Sequence, residues 1–123
     1  MTYYVGLDVS LRSVNICVID EQGEIVAESK VDSEPEDIVA QLKPHSSRIK
    51  ALALEAGTLT QYLTYGLQNA GYTVVCMEAR PLSSALAAMR NKTDKNDARG
   101  IAQILRTGWY SEVHVKSIES HHI

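Results

Sequence analysis

The chain has 123 residues, 45% of them hydrophobic and 22% charged, which suits one globular domain around one core and excludes a disordered chain. No apolar run reaches the ~18 residues that a bilayer demands. The opening MTYYVGLDVS has neither the basic start nor the apolar core of an export signal, so a cytoplasmic protein without a membrane partner is expected.

The net charge of −3 is unevenly spread: residues 1–78 hold five Lys/Arg against eleven Asp/Glu, whereas residues 79–111 hold six against two. A local basic segment matters more to phosphate binding than the total, although a solvated helix surface would look the same.

Along the chain, residues 3–9 (YYVGLDV), 14–20 (VNICVID) and 24–31 (EIVAESKV) are β-rich runs separated by short polar breaks, as expected of an antiparallel meander. Ser33-Glu34-Pro35-Glu36 has the pattern of a capping box, with Ser33 as N-cap, and predicts a helix over about 35–43. The nearly continuous apolar run IKALALE at 49–55 reads as a central strand covered on both faces. Thr58 with Gln61 suggests a second capping box, opening a helix to about Asn69 that stops at Gly71. YTVVCM is the next strand, Pro81 begins a helical segment, and a final helix is expected from Asp94, capped by Thr93, to about Arg106 before Gly108.

Three strands followed by helix, strand, helix, strand and two helices predict an α/β fold, a mixed five-stranded sheet with helices on its faces. Cys17 and Cys76 sit inside apolar β-like runs and are expected to be free and buried, since a cytoplasmic chain rarely keeps a disulfide. No CxxC or spaced Cys/His set points to structural zinc, and His121-His122 reads as a polar terminus.

Four carboxylates carry the chemical signal. Asp8 interrupts the first strand, where an acid costs stability unless its charge is stabilised, or else it caps the turn at Ser10–Ser13. Glu55 ends the central strand at the carboxyl edge, where open α/β sheets place their sites and where strand ends also simply meet solvent. Asp94 and Asp97, three apart, would share a helix face with Ala98, Ile101, Ala102 and Leu105, the stripe that should meet the sheet. A preference of acids for a helix amino terminus accounts for Asp94 but less well for Asp97.

Lys95, Arg99 and Arg106 lie on an adjacent side of that helix and Arg90 and Lys92 just before it, a rail suited to a phosphate backbone. Phosphodiester chemistry with two magnesium ions needs several carboxylates converging from different elements, with the metals ~3.5 to 4 Å apart. Without metal, such acids are expected to repel one another and splay.

Asp8 in GLDVSLRSVNICVID, Glu55 in LALEAG, and Asp94 and Asp97 in KTDKNDARGIA together resemble the DEDD insertion-sequence transposases, whose catalytic domain is similar to Holliday-junction resolvases. The resemblance runs from Tyr3 to about Val115. It implies a ribonuclease-H-like fold, a catalytic and metal-binding set of Asp8, Glu55, Asp94 and Asp97, and Mg2+, two ions with Mn2+ as a substitute. It also implies DNA as substrate, a guide RNA, and a homo-oligomer in the active complex. By the same resemblance residues 1–115 form the catalytic domain, and 116–123 are a polar tail opening a helical segment toward a serine-bearing carboxy-terminal domain. On that reading the chain is a fragment that does not exchange strands by itself.

Three rivals remain at this level. A stand-alone junction resolvase or metal-dependent nuclease would use the same acids to activate water. A sugar kinase or actin-like ATPase half would want a Gly-rich turn after Asp8, where Leu11-Arg12 stand instead. A degenerate remnant that binds nucleic acid without catalysis would not need all four carboxylates.

Overall fold

Alternation along the strands decides which side of the sheet each helix covers. The computed structural model describes residues 1–89 and 97–115. In it β1 (Tyr3–Val9), β2 (Ser13–Ile19), β3 (Ile25–Asp32), β4 (Ile49–Glu55) and β5 (Val74–Met77) form one sheet in the order β3-β2-β1-β4-β5. The first three strands pair antiparallel, while β4 runs parallel to both β1 and β5. The mixed five-stranded sheet expected from the element order is therefore the one observed.

Val5 and Leu7 of β1, Val14, Ile16 and Val18 of β2, and Leu52 and Leu54 of β4 point to one face. There they pack with Ile38 and Leu42 of α1 (Pro35–Leu42) and Leu63 and Leu67 of α2 (Thr60–Asn69). Ala51 and Ala53 of β4 and Val75 and Met77 of β5 point the other way. They meet Leu82 and Leu86 of α3 (Ala79–Met89) and Ile101, Ile104 and Leu105 of α4 (Ala98–Thr107). Because strand side chains alternate, Gly6 and Asp8 share this second face with Ala53 and Glu55.

α4 lies unusually close to β1. A methyl added at Gly6 would overlap the backbone of Ala98 and Ala102, so only a glycine fits there. Ala98 and Ala102 are fully buried beside Cys17, Ile19 and Tyr4, and these small residues let the helix settle onto the sheet. The helix ends where Gly108 takes φ +81° and its N–H donates to the Ile104 carbonyl, a left-handed C-terminal cap.

Local details differ from the sequence expectations at two helix starts. Ser33 does not cap α1: Glu34 occupies the N-cap without a side-chain capping bond, while the Ser33 hydroxyl, buried, donates 2.7 Å to the Ser10 carbonyl. The Thr58–Gln61 capping box is likewise absent, since α2 starts at Thr60 after Leu59. α4 begins at Ala98 with Asp97 as its N-cap; the expected start at Asp94 and the expected cap Thr93 fall in Arg90–Asn96, outside the described residues. At α1 a distant partner takes the expected cap, since the Ser33 hydroxyl goes to Ser10, and at α4 the N–H of the capping residue Asp97 goes to Asp8.

Two elements had no sequence signal that identified them. A 3-10 helix spans Lys43–Arg48. Beyond α4, Glu112 bridges Met77 antiparallel, with Glu78 N–H donating to the Ser111 carbonyl and Val113 N–H to the Cys76 carbonyl, covering the outer edge of β5. Both cysteines are free and buried, and burial pushes the Cys17 thiol up to about 11. Among the described residues no helix is long and apolar enough to cross a membrane.

Candidate active site

The parallel pair β1 and β4 is in register at Leu7 and Leu54, so the next residues, Asp8 and Glu55, stand side by side where the two strands end. Both belong to the face that α4 covers. α4 stops short of covering them: its amino terminus arrives at Asp8, and the N–H of Asp97 donates to Asp8 Oδ2 at 3.0 Å. A carboxylate at a helix amino terminus is favoured by the unsatisfied N–H groups and the dipole there. The sequence placed Asp97 at the site through a shared helix face; the structure brings it there as the residue that opens the helix.

These three acids line one cleft of about 300 Å³, with walls from the β1–β2 turn (Val9, Ser10, Leu11), the loop after β4 (Ala56 to Thr60) and Ile101 of α4. The loop is shaped by Thr60, whose Oγ1 accepts the Gly57 N–H at 2.6 Å and lies 3.4 Å from the Glu55 carbonyl, to which it donates. Thr60 and Gly6 are the contributors that sequence reading passed over. Gly6 had a legible signal, an interior strand glycine two residues before an acid; Thr60 was masked by the more conventional capping pattern at Thr58.

The electrostatics follow from the geometry. Glu55 has its pKa raised above the ordinary 4.5, first by partial burial and then by repulsion from Asp8 and Asp97. Three carboxylates from separate elements give the cleft an all-oxygen donor set, which suits a hard divalent cation. Among the described residues no group of three or more Asp, Glu, His or Cys side chains is gathered closely enough to hold a metal by itself. The fourth expected acid, Asp94, lies outside the described residues, as do Arg90, Lys92 and Lys95.

The remaining basic residues have partners within the chain. Arg99 grips Glu28 of β3 through two bonds, Nε to Oε2 at 2.7 Å and the second guanidinium nitrogen to Oε1 at 2.8 Å. Arg106 Nε donates to Gln103 Oε1 at 3.1 Å, and Gln103 in turn donates to the Gly23 carbonyl at 2.8 Å. Both arginines thus fasten α4 to the β2–β3 side of the sheet. Ser10 and Ser13 bond each other's groups in the turn: the Ser10 hydroxyl lies 2.9 Å from the Ser13 carbonyl, to which it donates.

The sequence model of the IS110-type DEDD transposase family matches residues 5–122. The chain belongs to that transposase family. No curated protein matches the sequence. Among solved structures, RuvC of Thermus thermophilus in complex with a Holliday junction substrate is similar with a TM-score of 0.61 at 15% identity, covering 92% of this chain and 100% of RuvC. A second structure of T. thermophilus RuvC gives 0.61 at 16%, covering 91% and 100%. The ethanolamine utilization protein EutJ of Carboxydothermus hydrogenoformans is similar at 0.51 with 20% identity, over 74% of this chain and 42% of that one. The RuvC likeness makes the fold of this transposase-family chain ribonuclease-H-like, as the resemblance in its motifs implied.

Proposed function

We propose that this chain is the catalytic part of a DNA transposase that cuts phosphodiester bonds with divalent metal. Asp8, Glu55, Asp94 and Asp97 would hold Mg2+, with Mn2+ able to substitute. The observation that carries the reading is the meeting of Asp8, Glu55 and Asp97, from three separate elements, in one open cleft at the carboxyl edge of the sheet. A divalent cation bound there would supply charge neutralisation for the phosphate and a nucleophile at neutral pH. The chain's own part is positional: β1 and β4 fix Asp8 and Glu55 side by side, and the α4 amino terminus holds the Asp8 carboxylate in place.

DNA is the proposed partner, drawn by the local positive charge of Arg90, Lys92 and Lys95 together with Arg106, and with Arg99 joining only where it leaves Glu28. A guide RNA and assembly into a homo-oligomer belong to the same proposal, supported by the family resemblance. The test is incubation of the protein with branched and linear DNA in Mg2+, Mn2+ or chelator, beside Asp8→Asn and Glu55→Gln variants. Metal-dependent cleavage or strand joining that is lost in both variants supports the reading. Activity that persists in chelator or in both variants would sink it.

A further inference from the structure

The turn between β1 and β2 is fixed at several backbone groups and still presents an apolar side chain to solvent. Ser10 N–H donates to the Ser13 carbonyl at 2.8 Å, Ser13 N–H donates to Ser10 Oγ at 3.3 Å, and the buried Ser33 hydroxyl donates to the Ser10 carbonyl. Ser33 N–H reaches the Arg12 carbonyl at 3.3 Å. Held this way, Leu11 is 74% exposed and lines the same cleft as Asp8, Glu55 and Asp97. Arg12, next to it, is exposed and makes no ion pair among the described residues. A single exposed leucine is ordinary on a protein surface. One held rigidly at the mouth of an acid-lined cleft, with a cation beside it, is placed to meet a ligand that has both apolar faces and negative charge.

We propose that Leu11 and Arg12 grip a DNA strand as it enters the cleft, Leu11 packing on a sugar or base face and Arg12 contacting a phosphate beside the one at the acids. The inference rests on the DNA-cutting reading above and adds a contact surface to it. Arg12 also answers an electrostatic need. The cleft itself is lined by carboxylates, and a cation on the adjoining turn adds local attraction for a polyanion without adding charge inside the cleft. The turn is preorganised, so little ordering entropy is lost on binding.

The test measures binding of a fluorescein-labelled four-way DNA junction by anisotropy over a range of salt, with Ca2+ replacing Mg2+ to hold back cleavage. The proteins are the unmodified chain, Leu11→Ser, Arg12→Gln and, as a charge control on the opposite side of the molecule, Lys43→Gln. Arg12→Gln is expected to reduce the salt slope by about 0.7 to 0.9, one phosphate contact. Leu11→Ser is expected to weaken binding roughly five-fold at unchanged slope, what burial of about 40 Å² of apolar surface is worth. Lys43→Gln should match the unmodified chain. If the unmodified chain binds and both turn variants equal it, or if Lys43→Gln lowers the slope as much as Arg12→Gln, the grip is wrong and the DNA-cutting reading survives. If the unmodified chain does not bind the junction at any salt, the DNA-cutting reading fails and takes the grip with it.

Discussion

The N–H of Asp97 donates to Asp8 Oδ2 at 3.0 Å, joining the opening residue of the last helix to the acid in the first strand. One carboxylate thus has two tasks, fixing α4 on the sheet and contributing to the acid cluster, and the two can be separated by substitution. Asp8→Asn keeps an oxygen acceptor and removes the charge; Asp8→Ala removes both. Both should abolish metal-dependent activity. Asp8→Ala should be less stable than Asp8→Asn by about 1 kcal/mol, the worth of a hydrogen bond at a helix start, or about 4 °C in melting temperature. Equal melting of the two variants would mean that the bond does not stabilise α4.

Glu55 predicts a pH and metal dependence. Its folded pKa is raised, chiefly by burial and then by Asp8 and Asp97. Between the ordinary 4.5 and that higher value the folded state binds more protons than the unfolded one, so this group's contribution to stability falls as pH rises through the window. Above it the ionised carboxylate is a net cost. Glu55→Gln should therefore melt higher than the unmodified chain at neutral pH in chelator, with the difference shrinking at acid pH. Mn2+ should raise the melting temperature of the unmodified chain and not of the variant. A variant that melts lower at neutral pH and equally at acid pH would contradict the sign.

Much of this arrangement was legible before the structure. Period-two patterning and an apolar run at 49–55 are set by burial, which also sets the sheet, so β1, β2, β3 and β4 fall within a residue or two of their expected bounds. Asp8 was visible as an acid where strand propensity disfavours it and Glu55 as an acid at the carboxyl edge of the central strand, and they do stand side by side. What local sequence could not show is which hydroxyl or N–H a distant residue would claim. Ser33 and Thr58 both fit cap patterns, yet neither caps its helix, and the Ser33 hydroxyl goes instead to the distant Ser10 carbonyl. The strand pairing of Glu112 with Met77 was hidden for the same reason, being a contact between segments far apart in the chain.

Gly6 sets how near α4 can come. Gly6→Ala places a methyl against the backbone of Ala98 and Ala102, atoms that cannot rotate away, so the helix must move outward. Overpacking of this kind costs about 3 kcal/mol, and the displaced helix would carry Asp97 away from Asp8. The variant should unfold at markedly lower denaturant and lose activity out of proportion to any remaining folded fraction. A Gly6→Ala protein with unchanged unfolding midpoint would show that α4 does not rest on β1 as described.

The ion pair of Arg99 with Glu28 yields the last prediction, which separates a structural from a DNA-binding role. The Arg99 hydrogen bonds hold the Glu28 pKa below the ordinary 4.5. The pair therefore stabilises the fold above that value and loses its contribution as pH falls through and below it. Being partly exposed, it is worth no more than about 1 kcal/mol. While the pair is closed, the guanidinium charge is already matched and attracts phosphate weakly. Glu28→Gln should therefore lower stability slightly at neutral pH and not at strongly acid pH, while it frees Arg99 and increases the salt slope of junction binding by up to about 0.9. Arg99→Gln should reduce stability by a similar amount but leave that slope nearly unchanged, because a paired side chain contributes little to it. Adding Arg99→Gln to Glu28→Gln should bring the slope back down. The measurements are chemical unfolding at several pH values and anisotropy titrations across salt on the three variants. A full drop of about 0.9 in the slope for Arg99→Gln alone would instead mean that the arginine leaves Glu28 when DNA binds, and that its pairing in the free protein is only a resting position.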